Sequence, residues 1–137
     1  MGLARAERRR LNNCMQRVLI ADDDESFAGM LQAFLEADGR FDVVGHARDG
    51  TEAVALTFEL RPEIVLMDVV MPVVDGVEAT RTILALHPET TVIAVSGVDD
   101  AQLALDARIA GAAEYVQKGR VDEDLIDAML AATTTRG

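Results

Sequence analysis

Five polar residues of this sequence stand where an apolar run ends: Asp22, Asp23, Asp68, Ser96 and Lys118. Val18-Leu19-Ile20-Ala21 leads into Asp22-Asp23, and Ile64-Val65-Leu66-Met67 leads into Asp68. Thr91 to Val95 leads into Ser96, and Ala113 to Val116 precedes Gln117-Lys118. Taken singly, each has an ordinary meaning as a helix cap, a turn residue or an exposed lysine. Together they are three carboxylates, a hydroxyl and an ammonium. Three carboxylates sharing a crevice repel one another, and without a counter-charge at least one takes up a proton. A divalent cation removes that repulsion. An all-oxygen set without His or Cys suits Mg²⁺, with Mn²⁺ as substitute, and argues against Zn²⁺. Lys118 and Ser96 beside such a metal suit phosphoryl oxygens, because phosphoryl transfer depends on positioning and charge neutralisation. Asp68 is then the nucleophile, forming an acyl phosphate.

These residues meet only if the chain alternates strand and helix in a regular way. Phe27, Met30, Leu31, Phe34 and Leu35 recur at helical spacing, with Ser26 or Asp24 as start and Gly39 as stop. Phe41 to Ala47 is expected as a second strand and Thr51 to Leu60 as a second helix, closed at Arg61-Pro62. Ile64 to Met67 is apolar throughout, as expected of a strand buried on both faces. A third helix is expected over Val77 to Leu86, and a fourth from an Asp99 or Asp100 cap to about Ala110. A last helix is expected from Val121 to about Ala132. Five strand–helix units predict an α/β fold, a doubly wound five-stranded parallel sheet with helices on both faces; the order 2-1-3-4-5 is taken over from flavodoxin-like sheets as the economical one, since the alternation of elements does not itself set it. In that order strands 1, 3, 4 and 5 are consecutive neighbours about 4.8 Å apart, so their C-terminal ends share one edge.

Composition narrows the class further. At 137 residues the chain is expected to be one domain: a flexible basic leader over 1–15, a folded unit over 16–132 and a frayed C-terminus over 133–137. Cys14 is the only cysteine, which excludes an internal disulfide and fits a cytoplasmic location. No apolar run is long enough to span a bilayer, so no membrane association is expected. Five arginines against Glu7 give residues 1–17 a net charge of +4, leaving −15 on the rest. An acidic body repels phosphate backbones, so no direct nucleic-acid partner is expected. The leader reads as a solvated tail. Met15-Gln16-Arg17-Val18 would itself serve as a start, so residues 1–14 read as an added or over-called leader. His46 and His87 read as surface turn residues.

The motifs Val18 to Asp24, Ile64 to Pro72 with Asp75-Gly76, Val92 to Gly97 and Gly111 to Lys118 together resemble a response-regulator receiver domain of two-component signalling. The phrasing is closest to receivers that usually precede a helix-turn-helix output domain. The resemblance implies that Asp68 accepts a phosphoryl group from a phosphohistidine on a sensor histidine kinase or phosphotransfer protein. It implies that Asp22, Asp23, Asp68 and the Val70 carbonyl hold Mg²⁺. It further implies that Ser96 and Lys118 contact the phosphoryl oxygens, and that Tyr115 is a switch coupled to Ser96. The face formed by the fourth helix, fifth strand and fifth helix is the implied readout. Downstream stands a protein target or an output domain outside this chain, with a homodimer on phosphorylation left open. The expectation is a stand-alone receiver, with a fragment of a longer regulator as the alternative. The resemblance implies a phosphoacceptor switch with slow self-dephosphorylation, not an enzyme. Gly119 stands where the family usually has proline, and Val70 and Val98 are apolar at positions with which the family tunes hydrolysis.

Two rivals remain at this stage. One is a pseudo-receiver that keeps the fold as a binding module without phosphorylation. The other is a haloacid-dehalogenase-type phosphatase with Asp22 as nucleophile, since Asp22-Asp23-Asp24-Glu25-Ser26 also fits that motif. It leaves Asp68 without a role, and the acidic run Asp122-Glu123-Asp124 opens a helix where that family needs a strand end.

Overall fold

The computed structural model describes residues 15–71 and 74–136, with side chains to Thr133. The expected leader, apart from its last residue Met15, lies outside the described residues, as do Pro72 and Gly137. Five strands alternate with five helices: β1 (Gln16–Ala21), α1 (Glu25–Asp38), β2 (Phe41–Ala47), α2 (Gly50–Leu60), β3 (Ile64–Asp68), α3 (Gly76–Leu86), β4 (Thr91–Ser96), α4 (Ala101–Ala110), β5 (Glu114–Gln117) and α5 (Ile126–Arg136). The sheet runs β2-β1-β3-β4-β5, and all four pairings are parallel. Both the order and the doubly wound architecture agree with the sequence-based expectation.

Alternation along the strands divides the core in two. Val18, Ile20, Ile64, Leu66, Ile93 and Val95 face α1, α5 and the segment that leads into α5, where they pack with Leu31, Leu35, Leu125 and Met129. Leu19, Ala21, Val65, Met67, Val92 and Ala94 face the other way, toward Ala53, Ala79, Ile83 and Ala107 of α2, α3 and α4. Every residue of β3 and β4 is buried. A fully buried leucine or isoleucine contributes about 1.5–3 kcal/mol, so two such layers hold the sheet edge rigid.

The helix starts are set by aspartates. Asp24, Asp49, Asp75 and Asp100 each accept from a backbone N–H in the first turn of their helices. Gly39 and Gly111 end α1 and α4 with positive φ, of 91° and 116°. Arg61, before Pro62, leaves the helical region for φ 51°, ψ 56°.

Both ends of the last helix and the burial of one histidine differ from expectation. The 121–125 segment is a wide π turn, entered through a 3-10 turn at Lys118–Arg120, and α5 proper begins at Ile126. That helix runs on to Arg136, past the expected end near Ala132. Thr133 Oγ1 donates to the Met129 carbonyl at 2.9 Å, so the threonine stays inside the helix by back-bonding. His87 is not a surface residue: it is buried beneath Phe58, with ring centroids 6.0 Å apart.

Gly76 fixes the loop that follows β3. A Cβ at this position would collide with the Asp68 carbonyl oxygen and lie 2.6 Å from Val69 Cα. Its N–H donates to the Val69 carbonyl at 3.3 Å. The start of α3 therefore presses directly on the backbone that carries Asp68, and only glycine permits that approach.

Candidate functional site

The C-terminal strand ends deliver their polar residues to one edge, as the strand order requires. Asp22 and Asp23 follow β1, Asp68 ends β3, Ser96 ends β4 and Lys118 follows β5. Asp22, Asp68 and Ser96 are buried, whereas Asp23 is exposed. One carboxylate oxygen from each of Asp22, Asp23 and Asp68 lies within 4.8 Å of the others. Lys118 Nζ bridges the cluster, 2.9 Å from Asp22 Oδ2 and 3.3 Å from Asp68 Oδ2.

Each buried carboxylate is also held through its other oxygen. Asp22 Oδ1 accepts from Asp24 N–H at 2.8 Å, and Asp68 Oδ1 accepts from Val70 N–H at 3.0 Å. The Asp68 carboxyl is pushed up to about 6 from 3.8. Burial is the main cause, and the neighbouring Asp22 charge adds to it. The Val70 N–H and Lys118 oppose it without cancelling it. For Lys118, burial disfavours the ammonium, yet the hydrogen bond to Asp22 and the charge of Asp68 outweigh it and raise its proton affinity. The three carboxylates thus outnumber the one ammonium among them. A hard divalent cation with oxygen ligands fits this donor set, because it supplies the missing positive charge.

Ser96 and Tyr115 meet at Val98. Ser96 Oγ accepts from Val98 N–H at 3.2 Å, and Tyr115 OH donates to the Val98 carbonyl at 3.1 Å. Tyr115 is partly buried on the edge strand β5, packed against the α2–α3–α4 side of the core. Val70 and Val98 are largely exposed. The Lys118–Gly119 peptide is trans.

Two participants are not visible in a motif. His46 is half-buried at the end of β2, not a surface turn residue, and its Nε2–H donates to the Asp22 carbonyl at 2.9 Å. Phe27, which helical spacing marks only as a core position, has its ring centroid 4.5 Å from Lys118 Nζ. The available signal for His46 was its place at a strand end beside Asp22. For Phe27 there was none, since its ring meets a lysine 91 residues away.

Comparison with known proteins agrees with this geometry. Residues 18–130 match the family description of the response regulator receiver domain. The transcriptional regulatory protein LiaR of Bacillus subtilis (strain 168) is 39% identical over 119 residues, 87% of this chain and 56% of LiaR. Protein-glutamate methylesterase/protein-glutamine glutaminase 4 of Myxococcus xanthus (strain DK1622) is 41% identical over 109 residues, 79% of this chain and 31% of that protein. This chain therefore spans about half of the first relative and a third of the second. Among solved structures, a two-component response regulator of the LuxR family from Aurantimonas sp. SI85-9A1 superposes with a TM-score of 0.81 at 31% identity. That match covers 85% of this chain and 84% of the other. The response regulator domain of Thermotoga maritima CheB also gives 0.81, at 29% identity, covering 88% and 97%. Among the described residues, no helix is long and apolar enough to cross a membrane.

Proposed function

We propose, since this chain belongs to the response regulator receiver domain family, that Asp68 is its phosphoacceptor and that Asp22, Asp23, Ser96 and Lys118 serve that one reaction. Family membership favours this reading over the phosphatase built on Asp22. The observation that carries the proposal is the Lys118 bridge between two buried carboxylates, 2.9 Å from one and 3.3 Å from the other.

In the proposed reaction, an Asp68 carboxylate oxygen attacks the phosphorus of a phosphohistidine on a sensor histidine kinase. The O–P bond forms as the P–N bond breaks, and the donor imidazole retains the electron pair and takes up a proton. Lys118 Nζ exchanges its contact with Asp68 Oδ2 for a phosphoryl oxygen, and Ser96 Oγ–H donates to another. Asp22, Asp23, Asp68 and the Val70 carbonyl would hold Mg²⁺, which neutralises charge on the phosphoryl oxygens when bound. A cytoplasmic location follows from that donor. The downstream partner is a protein target or an output domain, reached through the face of α4, β5 and α5.

The switch runs through Val98. When Ser96 Oγ turns to the phosphoryl group, it gives up the Val98 N–H. The segment that Tyr115 OH also holds is then free to move, and the ring can turn inward. Phosphorylation thereby biases a two-state element through one local hydrogen bond.

Intact-mass spectrometry after incubation with acetyl phosphate and Mg²⁺ tests the proposal. One phosphoryl group is expected on the wild type and none in the presence of a chelator. An unmodified wild-type chain would favour the pseudo-receiver. Steady turnover of acetyl phosphate through Asp22 would mean a phosphatase.

Two quantitative expectations accompany this reading. First, metal binding follows the Asp68 proton. Its folded-state value of about 6 lies above the ordinary carboxylate range. The folded chain then holds this proton more tightly than the unfolded chain. Asp68's contribution to metal-free stability is therefore present below about pH 4 and lost as pH rises through about 6. A divalent cation binds only the deprotonated form, so saturating Mg²⁺ should raise the melting temperature clearly at pH 7.5 and little at pH 5. An equal gain at both pH values would contradict it.

Second, the phosphoryl group should be long-lived. Val70 and Val98 are exposed at 57% and 49% beside the site, and neither side chain can orient an attacking water. A half-life of minutes or longer is expected when donor is removed, and a half-life of seconds would refute this part.

A further inference from the structure

We infer that Phe27 is a positioning residue for Lys118, its ring face holding the ammonium between Asp22 and Asp68, where a phosphoryl oxygen would be met. The inference rests on the phosphoacceptor reading above and adds to it a residue outside the five-residue polar set. Lys118 Nζ stands 4.5 Å from the Phe27 centroid, within the range in which an aromatic quadrupole attracts a cation. The other two partners of Nζ are the Asp22 and Asp68 carboxylates. Both of these are candidate ligands for a cation, and Asp68 is the proposed acceptor. The ring alone carries no charge and has no other polar task. It is the partner whose hold on Nζ does not depend on what the carboxylates bind.

The fold gives the ring a fixed place. Phe27 lies in the first turn of α1, and its N–H donates to the capping Asp24 Oδ1 at 3.1 Å. Its side chain packs against the core layer formed with α1 and α5. Lys118, in contrast, opens a tight turn, and its stem runs beside Gly97, where a Cβ would stand 3.7 Å from Lys118 Cδ. The lysine side chain remains 22% exposed, so water competes for a swinging ammonium. A four-carbon stem loses considerable rotamer freedom when its end is fixed. A ring face under Nζ keeps the ammonium inside the cluster. Leucine at position 27 would preserve the apolar bulk and remove the quadrupole, whereas tyrosine would preserve both.

The test compares wild type, Phe27→Leu and Phe27→Tyr by side-chain NMR of Lys118 in metal-free protein, and by the rate of phosphorylation with acetyl phosphate and Mg²⁺. In the wild type the Lys118 Hε protons should show an upfield ring-current shift and restricted motion. Phe27→Leu should abolish the shift, mobilise the side chain and slow phosphorylation about three- to thirtyfold. Its Mg²⁺ affinity should stay within about twofold, because no carboxylate is touched. Phe27→Tyr should retain the shift, the restricted motion and the rate. A small-molecule donor removes kinase docking from the comparison. A wild-type spectrum without the shift, a Phe27→Leu variant phosphorylated at the wild-type rate, or equal slowing in Leu and Tyr variants would each overturn the inference. If the wild type takes up no phosphoryl group at all, the phosphoacceptor reading fails. The ring-current arm then decides separately whether Phe27 holds Lys118.

Discussion

Asp68→Asn is expected to abolish phosphoryl uptake from acetyl phosphate and, in the absence of metal, to make the protein more stable at pH 7.5. The first effect follows from chemistry, because a carboxamide oxygen is too weak a nucleophile to form the acyl phosphate. The second follows from the crowding of the site. Asp68 is buried, and its carboxyl is pushed up to about 6 from 3.8 by that burial and by Asp22. Holding it ionised at pH 7.5 costs at most about 3 kcal/mol. Solvent screening at the open edge of the sheet reduces this to about 1–2 kcal/mol. Asparagine keeps an oxygen to accept from Val70 N–H, now 3.0 Å from Asp68 Oδ1. It leaves Lys118 paired with Asp22 at 2.9 Å. Urea denaturation of both proteins should show the gain at pH 7.5, its reduction by about half near pH 5 and its disappearance below about pH 4, where the carboxyl is protonated in the unfolded chain as well. A variant that loses stability at pH 7.5, or that still accepts a phosphoryl group at position 68 or elsewhere at the wild-type rate, would contradict the assignment.

Lys118→Met is expected to act in the opposite direction on stability. The ammonium is the only cation within bonding distance of Asp22 and Asp68 among the described residues. Methionine keeps an unbranched apolar stem, one atom shorter, and removes the charge. Two buried carboxylates then face each other without compensation, at a cost of about 3 kcal/mol near pH 7.5 for a site still partly open to water. The loss should shrink as pH falls toward 5, because a proton on Asp68 relieves the repulsion. Saturating Mg²⁺ should relieve it at pH 7.5 as well. Phosphorylation by acetyl phosphate should nevertheless fall by about 10²–10³-fold in the metal-loaded variant, since a cation aimed at the transferring oxygens is gone. Lys118→Arg separates the two roles. It should recover most of the stability but not the rate, because a planar guanidinium fork does not replace a compact ammonium at a site shaped for one. Denaturation curves at two pH values with and without Mg²⁺, together with initial phosphorylation rates, check all of this. If Lys118→Met is as stable as wild type at pH 7.5 without metal, the bridge seen in the structure carries no energy.

Much of the fold was legible because strand and helix signals are local. Ile64 to Met67 is apolar at every position, which only a strand covered on both faces tolerates, and β3 is indeed buried throughout. Leu31 and Leu35 repeat at helical spacing and both face the core from α1. The ends were less legible. Asp122, Glu123 and Asp124 look like the ordinary acidic first turn of a helix, but the backbone there takes a wide π turn before α5 begins. The last helix is expected to end near Ala132, yet Thr133 bonds back to Met129 and the helix continues. In both places the outcome depends on how the segment docks against β4 and β5, which no local pattern encodes.

For the site, the sequence alone determined which residue types reach the shared sheet edge. Strand ends are local features, and the order 2-1-3-4-5 makes them neighbours. Tertiary structure alone decided what these residues do to one another. It buries Asp22 and Asp68 while leaving Asp23 exposed, stretches Lys118 between the two buried carboxylates and keeps the Asp68 proton to about pH 6. It also brings in His46 from β2 and Phe27 from α1, two residues that carry no motif. The physical reason is range. Hydrophobic periodicity is set within a few residues along the chain. Desolvation, Coulomb coupling and ring–cation contact depend on distances across elements, and those exist only once the sheet has assembled.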